Sequence, residues 1–143
     1  MRQMQDQIED GMSGQSAVEA VVIFAIDNGN DPRVRARFER HIDTLRSMGS
    51  LRRPVRLCIG MWEGKMEASY EMVRSDFEAH VMRHGWVTNQ DAILGVVAGQ
   101  AVLIDQQGKV MDAGRWRHLP GNEALLQQGW TYYLDTNEYW VAA

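Results

Sequence analysis

The sequence predicts an α+β domain: a split β-α-β-β-α-β sheet, ferredoxin-like in outline, with its helices on one face and antiparallel strands added at the C-terminus. Three observations carry that expectation. The runs 55–62 and 66–74 alternate apolar and polar side chains around Glu63-Gly64-Lys65, the pattern of an antiparallel hairpin. Two stretches with helical periodicity, 31–48 and 75–85, each follow a strand. The runs 17–26 and 92–97 are almost continuously apolar, as strands buried on both faces are.

In chain order, residues 1–16 are polar, carry Gly11 and Gly14, and read as a flexible tail before a single domain spanning 17–143. The stretch 17–26 has Glu19 as its one acidic residue before Asp27, and its β-branched content favours strand over helix. Asp27-Asn28-Gly29-Asn30 reads as a loop, with Asp31 as a helix cap and Pro32 in the first turn. Val34, Phe38, Ile42, Leu45 and Met48 then form an apolar helical stripe that Gly49 ends. In the hairpin, Val55, Leu57, Ile59 and Met61 make one apolar side and Met66, Ala68, Tyr70 and Met72 the other, with Gly64 in the turn. Ser75 and Glu78 fit a capping box, and Gly85 fits a left-handed helix end. Strands follow at 92–97, 101–105 and 109–113, then a short helix over 120–128. The segments 131–134 and 138–141 flank Asp135-Thr136-Asn137 as a last hairpin, rich in tyrosine and tryptophan.

A chain of 143 residues suits one domain, and its charged fraction of 24% is ordinary for a globular protein. The formal net charge of −4 argues against generic nucleic-acid binding. The single cysteine excludes an internal disulfide and a cysteine-only zinc site, and Cys58 reads as a small core hydrophobe. No apolar run reaches the roughly 20 residues of a membrane span, and residues 1–16 lack the apolar middle of a secretory signal. The expected location is the cytoplasm, that of a host cell if a phage or plasmid encodes the protein.

From Phe24 to Leu94 the chain resembles a small uncharacterised domain of bacterial and phage proteins. The shared features are an asparagine-containing loop (Asn28, Asn30), a helix ending near Gly49, a G-x-W strand (Gly60, Trp62), an E-x-S element (Glu67, Ser69) and the segment from Gln90 to Leu94. The resemblance implies a fold and no activity.

No constellation meets the requirements of a known catalytic or metal signature. His80 and His84 stand four apart on a helix, yet Val81 occupies the place of a metalloprotease glutamate and no third ligand is evident, so they read as surface or helix-end histidines. No G-x-S-x-G elbow or phosphate loop is present. Asp27 to Asp31 lacks the closing glutamate of a calcium loop, since Phe38 stands at the twelfth position. No metal or cofactor is expected.

Two clusters remain. Eight of the fifteen basic residues fall between positions 33 and 56, among them Arg33, Arg37, Arg40, Arg52 and Arg53, and arginine forks suit phosphate or carboxylate. Trp62, Tyr70 and Trp116 beside them would complete a nucleobase site. At the C-terminus, Tyr139 and Trp140 belong to an aromatic hairpin suited to an interface, including that of a homodimer. The expectation is a non-enzymatic binding protein, a phage or mobile-element inhibitor or modulator of a host system. Its partner would be a protein or a small anionic ligand. The alternative is an enzyme acting on a phosphorylated or nucleotide substrate, with Arg37 or Arg40 clamping the anion and His80 or His118 moving protons.

Overall fold

A computed structural model describes residues 20–25, 32–51, 53–62, 64–86, 88 and 90–143. Among these residues there are eight strands: β1 (Val21–Phe24), β2 (Arg56–Trp62), β3 (Lys65–Val73), β4 (Ala92–Val97), β5 (Gln100–Asp105), β6 (Val110–Leu119), β7 (Gly129–Tyr133) and β8 (Glu138–Ala142). The helices are α1 (Pro32–Ser47), α2 (Arg74–His84) and the single turn α3 (Gly121–Ala124). The strands close into an antiparallel barrel in the order β1-β3-β2-β7-β8-β6-β5-β4, with β4 paired back onto β1.

This closure corrects the expected ferredoxin-like split sheet. The strands β4, β1, β3 and β2 are neighbours, but the edges an open sheet would leave are both taken. β7 pairs with β2 through Cys58↔Tyr133 to Trp62↔Gly129, and β5 pairs with β4 over its whole length. β6 then joins the two sides. Its first half pairs with β5 and its second with β8, with a register shift opposite Ala101 and Val102. Closing a sheet satisfies every edge amide and carbonyl, which an open sheet must cover in some other way. Gly114, at φ 100°, lets β6 pass the C-terminal residue, since a Cβ there would lie 2.8 Å from the carbonyl carbon of Ala143.

A barrel has an inner and an outer wall, and the two are packed differently. Inside, Ile23, Cys58 and Tyr133 are buried together with Leu94, Val96, Trp116 and Trp140. Outside, α1 and α2 bring Phe38, Ile42 and Phe77 onto Val22, Phe24, Met72, Ile93 and Ile104. Phe24 meets Phe38 edge-on at 5.6 Å and Phe77 at 4.7 Å, aromatic contacts that add to the burial term. A smaller outer cluster joins Ala124 of α3 to Trp130 and Val141.

Local expectations fare unevenly. The β2–β3 hairpin forms with Trp62 opposite Lys65 and Gly64 at φ 81°. Gly85 closes α2 at φ 87° and donates its amide to the Val81 carbonyl, although its ψ of 178° is extended rather than left-handed helical. The Ser75 capping box does not form. α2 starts two residues earlier, with Val73 at its cap position, the Arg74 amide bonds to the Ala20 carbonyl, and Glu78 is engaged by the Arg74 guanidinium at 3.0 Å. Met48 is 68% exposed, so the α1 stripe stops short of it. The short helix expected over 120–128 is the single turn α3, and the strand expected over 109–113 continues to Leu119. The tail at 1–16, the loop at 27–30, the Asp31 cap and Glu63 lie outside the described residues.

Candidate active site

At one end of the barrel, two adjoining clefts share Val21, Arg53, Arg56 and Glu71. One continues to Pro54, Val73 and Asp135. The other runs past Tyr133 and Glu138 to Trp116 and Trp140. Strand geometry explains the convergence. Alternate residues point inward, so Glu71 on β3, Arg56 on β2 and Tyr133 on β7 meet on the inner wall, with Arg56 directly paired to Glu71 in register.

Glu71 is a buried carboxylate, and buried charge is tolerated only with partners. Its Oε1 accepts the Tyr133 hydroxyl at 2.5 Å, and its Oε2 faces Arg56 Nη1 at 3.5 Å. Arg56 in turn lays its guanidinium 3.8 Å over the Tyr133 ring. It also forms a two-pronged pair with Asp135, Nε to Oδ2 at 2.8 Å and Nη2 to Oδ1 at 2.9 Å. These contacts set the protonation states. Asp135 is held below the usual carboxylate range by its hydrogen bonds from Arg56. Burial, then the Glu71 charge, pushes the Tyr133 phenol far above its ordinary value. Burial likewise pushes the Cys58 thiol up to about 12, so it is no nucleophile at neutral pH.

The aromatic side of the mouth is layered. Trp116 and Trp140 stack with centroids 6.0 Å apart and planes 18° apart, and His118 stacks on Trp140 at 5.3 Å. Trp140 donates its indole N–H to Glu138 at 3.3 Å. The mouth therefore offers flat π surfaces beside a fixed carboxylate and two guanidiniums. This suits a ligand with a heteroaromatic ring and a charged, partly cationic tail.

A second cluster lies on the outer wall. His80 of α2 is fully buried and its Nδ1 lies 2.6 Å from His41 Nδ1 of α1. His84 packs beside both rings, 4.7 Å from His80 and 5.8 Å from His41 between centroids. Burial, followed by the charges of His41, His84 and Arg37, lowers the His80 pKa to about 4. The expectation of surface or helix-end histidines is corrected for His80. The missing term was His41, thirty-nine positions upstream and visible only once α1 and α2 pack together.

The residues singled out in the sequence are scattered by the fold. Arg53, Trp116 and Trp140 converge at the mouth. Arg33, Arg37 and Arg40 stay on the exposed side of α1. Arg52 lies outside the described residues. Trp62 is 62% exposed at the hairpin end and folds over Gly129, where a Cβ would stand 2.6 Å from its ring. Tyr70 packs against the outer helices and donates its hydroxyl to Glu39 at 3.0 Å. Tyr139 joins the outer cluster against Trp130 and Tyr132. Arg35 pairs with Glu39 and Arg46 with Asp43, as helical neighbours do. Glu71 and Asp135 do not stand out in the sequence, and Arg56 and Tyr133 do so only as members of the basic and aromatic clusters. For Glu71 the signal is the alternation of Glu67, Ser69 and Glu71 along β3, a pattern that a solvated face shows equally.

With the geometry in place, comparison with known proteins is informative. The family model described as the S-adenosylmethionine lyase family matches residues 21–143. No curated protein matches the chain. The match includes the stretch 24–94 that resembles an uncharacterised bacterial and phage domain, and does not itself confirm that domain. It also overturns the expectation of a non-enzymatic binding protein, inhibitor or host-system modulator, and favours the enzyme alternative. No described helix is long and apolar enough to cross a membrane.

Proposed function

Because the chain belongs to the S-adenosylmethionine lyase family, we propose that it cleaves a carbon–sulfur bond of S-adenosylmethionine at the mouth of the barrel. The observation that supports this most is the buried Glu71, fixed by Tyr133 and Arg56 beside the tryptophan pair. The substrate carries an adenine ring, a sulfonium, an ammonium and a carboxylate. Each has a counterpart: indole faces for adenine, Glu71 and Glu138 for the positive groups, and Arg53 for the carboxylate.

The chemistry asks little of the protein beyond placement. A sulfonium leaves as a neutral thioether, so no proton need be delivered to the leaving group. The Tyr133 hydroxyl is no ready acid for that task, since it is committed to Glu71 and its pKa is raised. Nor does Cys58 supply a nucleophile. The substrate's own carboxylate serves instead. One of its oxygens attacks the γ-carbon, the carbon–sulfur bond breaks, and its electron pair goes to sulfur. The products are methylthioadenosine and homoserine lactone, with the ammonium proton retained throughout. Two opposite charges disappear in this step, so a cleft that strips water from them lowers the barrier. Glu71 holds the ammonium and thereby aims the carboxylate at the γ-carbon, a proximity effect.

The test is product analysis in water labelled with oxygen-18. Methylthioadenosine and unlabelled lactone at early times are expected, whereas homoserine labelled from the first turnover would overturn ring closure in favour of hydrolysis. Glu71→Gln keeps the shape and removes the charge, and it should lower kcat/KM by about 100-fold or more. An unchanged kcat/KM would remove Glu71 from the site.

A further inference from the structure

The outer wall carries a side-chain cluster that the proposed reaction does not use. His41 on α1 and His80 and His84 on α2 each place one ring nitrogen within 4.8 Å of one nitrogen of the other two. We propose that these three histidines form a divalent transition-metal site, with zinc as the cation, that clips α1 to α2.

The argument is geometric. Imidazole nitrogens bind zinc at about 2.0–2.1 Å, which sets neighbouring ligands of a tetrahedral ion about 3.3 Å apart. The observed spread runs from the 2.6 Å His41–His80 contact to the 4.8 Å limit, so it brackets that value. His41 and His84 are only half-buried, and their side chains have room to adjust. His80, the fully buried member, has no such freedom and serves as the fixed ligand.

The unpartnered groups point the same way. Two ring nitrogens facing each other at 2.6 Å share a proton, and the half-buried His41 has only to move by roughly 0.7 Å to reach the ligand spacing of a tetrahedral zinc. Whichever tautomer is chosen, the buried His80 Nε2 has no hydrogen-bond partner. Asp76 lies one turn before His80 on the same side of α2, and its Oδ2 is also buried without a partner. Its negative charge acts on His41, against the positive charges of Arg83 and His84. A cation among the rings gains from Asp76 as a nearby counter-charge. Three protein ligands leave a fourth position for water. A metal here joins residues 39 positions apart and so holds α2 against α1.

The experiment uses untagged, chelator-treated full-length protein with zinc and cobalt(II) salts as probes. One cobalt per chain with the visible absorption of a four-coordinate ion is expected, together with a zinc-dependent rise in the unfolding midpoint. His41→Gln and His84→Gln change half-buried residues, so both variants should fold and keep the metal-free midpoint while losing the cobalt spectrum and the zinc-dependent rise. Absence of stoichiometric cobalt in the wild type would overturn the proposal. So would cobalt binding that persists unchanged in both variants.

Discussion

Adjacent residues on β3 face two different worlds. Glu71 points into the barrel toward Tyr133 and Arg56, while Met72 points out to the helices and shares a core with Phe24, Phe38 and Phe77. The inner wall at the mouth spends its burial on hydrogen-bonded charge, which is costly unless every group is partnered. The outer wall spends it on hydrocarbon and aromatic packing, which stabilises without specifying a ligand. One strand therefore separates chemistry from stability by a single residue. The division is sharp enough to test by asking which measured quantity each substitution moves.

The largest expected effect lies on the outer wall. Phe38 is 1% exposed and meets Phe24, Tyr70 and His80 ring to ring. Phe38→Ala should cost about 3–5 kcal/mol of unfolding free energy, by lost transfer and by the cavity left behind. Because it touches nothing at the mouth, kcat/KM measured well below the lowered midpoint should stay within a factor of two or so of wild type. Urea denaturation alongside a turnover assay checks both. A large loss of kcat/KM in protein that is still folded would show the two walls to be coupled.

How much of this division can be read in the sequence depends on the range of the interaction that sets it. The β2–β3 hairpin and α1 are legible, because Gly64 and the Val34–Phe38–Ile42 spacing act over a few residues. Closure is not. The pairing of Cys58 with Tyr133 spans 75 positions, and alternation in β2 cannot say which side becomes the inside. The apolar set of β2 looked like its buried face, yet Leu57 is 56% exposed and Cys58 on the other side is buried. The same inversion hid Glu71, since on an open sheet its side of β3 would meet water. Trp116 and Trp140 stand out in the sequence by type, but only closure brings them to the same cleft as Arg53. His80 needed His41 from another helix before its burial made sense.

A middle-sized effect would sharpen the comparison at the mouth. Trp140 stacks with both Trp116 and His118 and lines the cleft with Glu71. Trp140→Leu keeps an apolar side chain but removes the π face. If the indole binds adenine, KM should rise by about ten-fold, consistent with ~1–3 kcal/mol for a base stacked on an aromatic ring, while kcat falls less. Steady-state kinetics separates the two. A fall in kcat at constant KM would move the tryptophan from binding to positioning of the reacting centre.

The smallest effect concerns the charge network that braces Glu71. Asp135 holds Arg56 at 2.8 and 2.9 Å, and Arg56 faces Glu71 at 3.5 Å. The folded-state pKa of Asp135 is lowered by the Arg56 hydrogen bonds, so the pair contributes stability above the unfolded carboxylate pKa near 4. That contribution declines as pH falls through the folded value, because the unfolded chain takes up the proton first. Asp135 is half exposed, so water screens the pair and the loss is modest. Asp135→Asn should flatten this acid limb of the stability curve and leave the midpoint at neutral pH slightly lower. It should also loosen Arg56, which then turns more fully to Glu71 and competes with a substrate ammonium for it. The expected sign is therefore a raised KM with little change in kcat, measured at neutral pH where the wild-type pair is intact. An unchanged KM would show that Arg56 is held by Tyr133 and Glu71 alone, and that the inner wall needs no support from its rim.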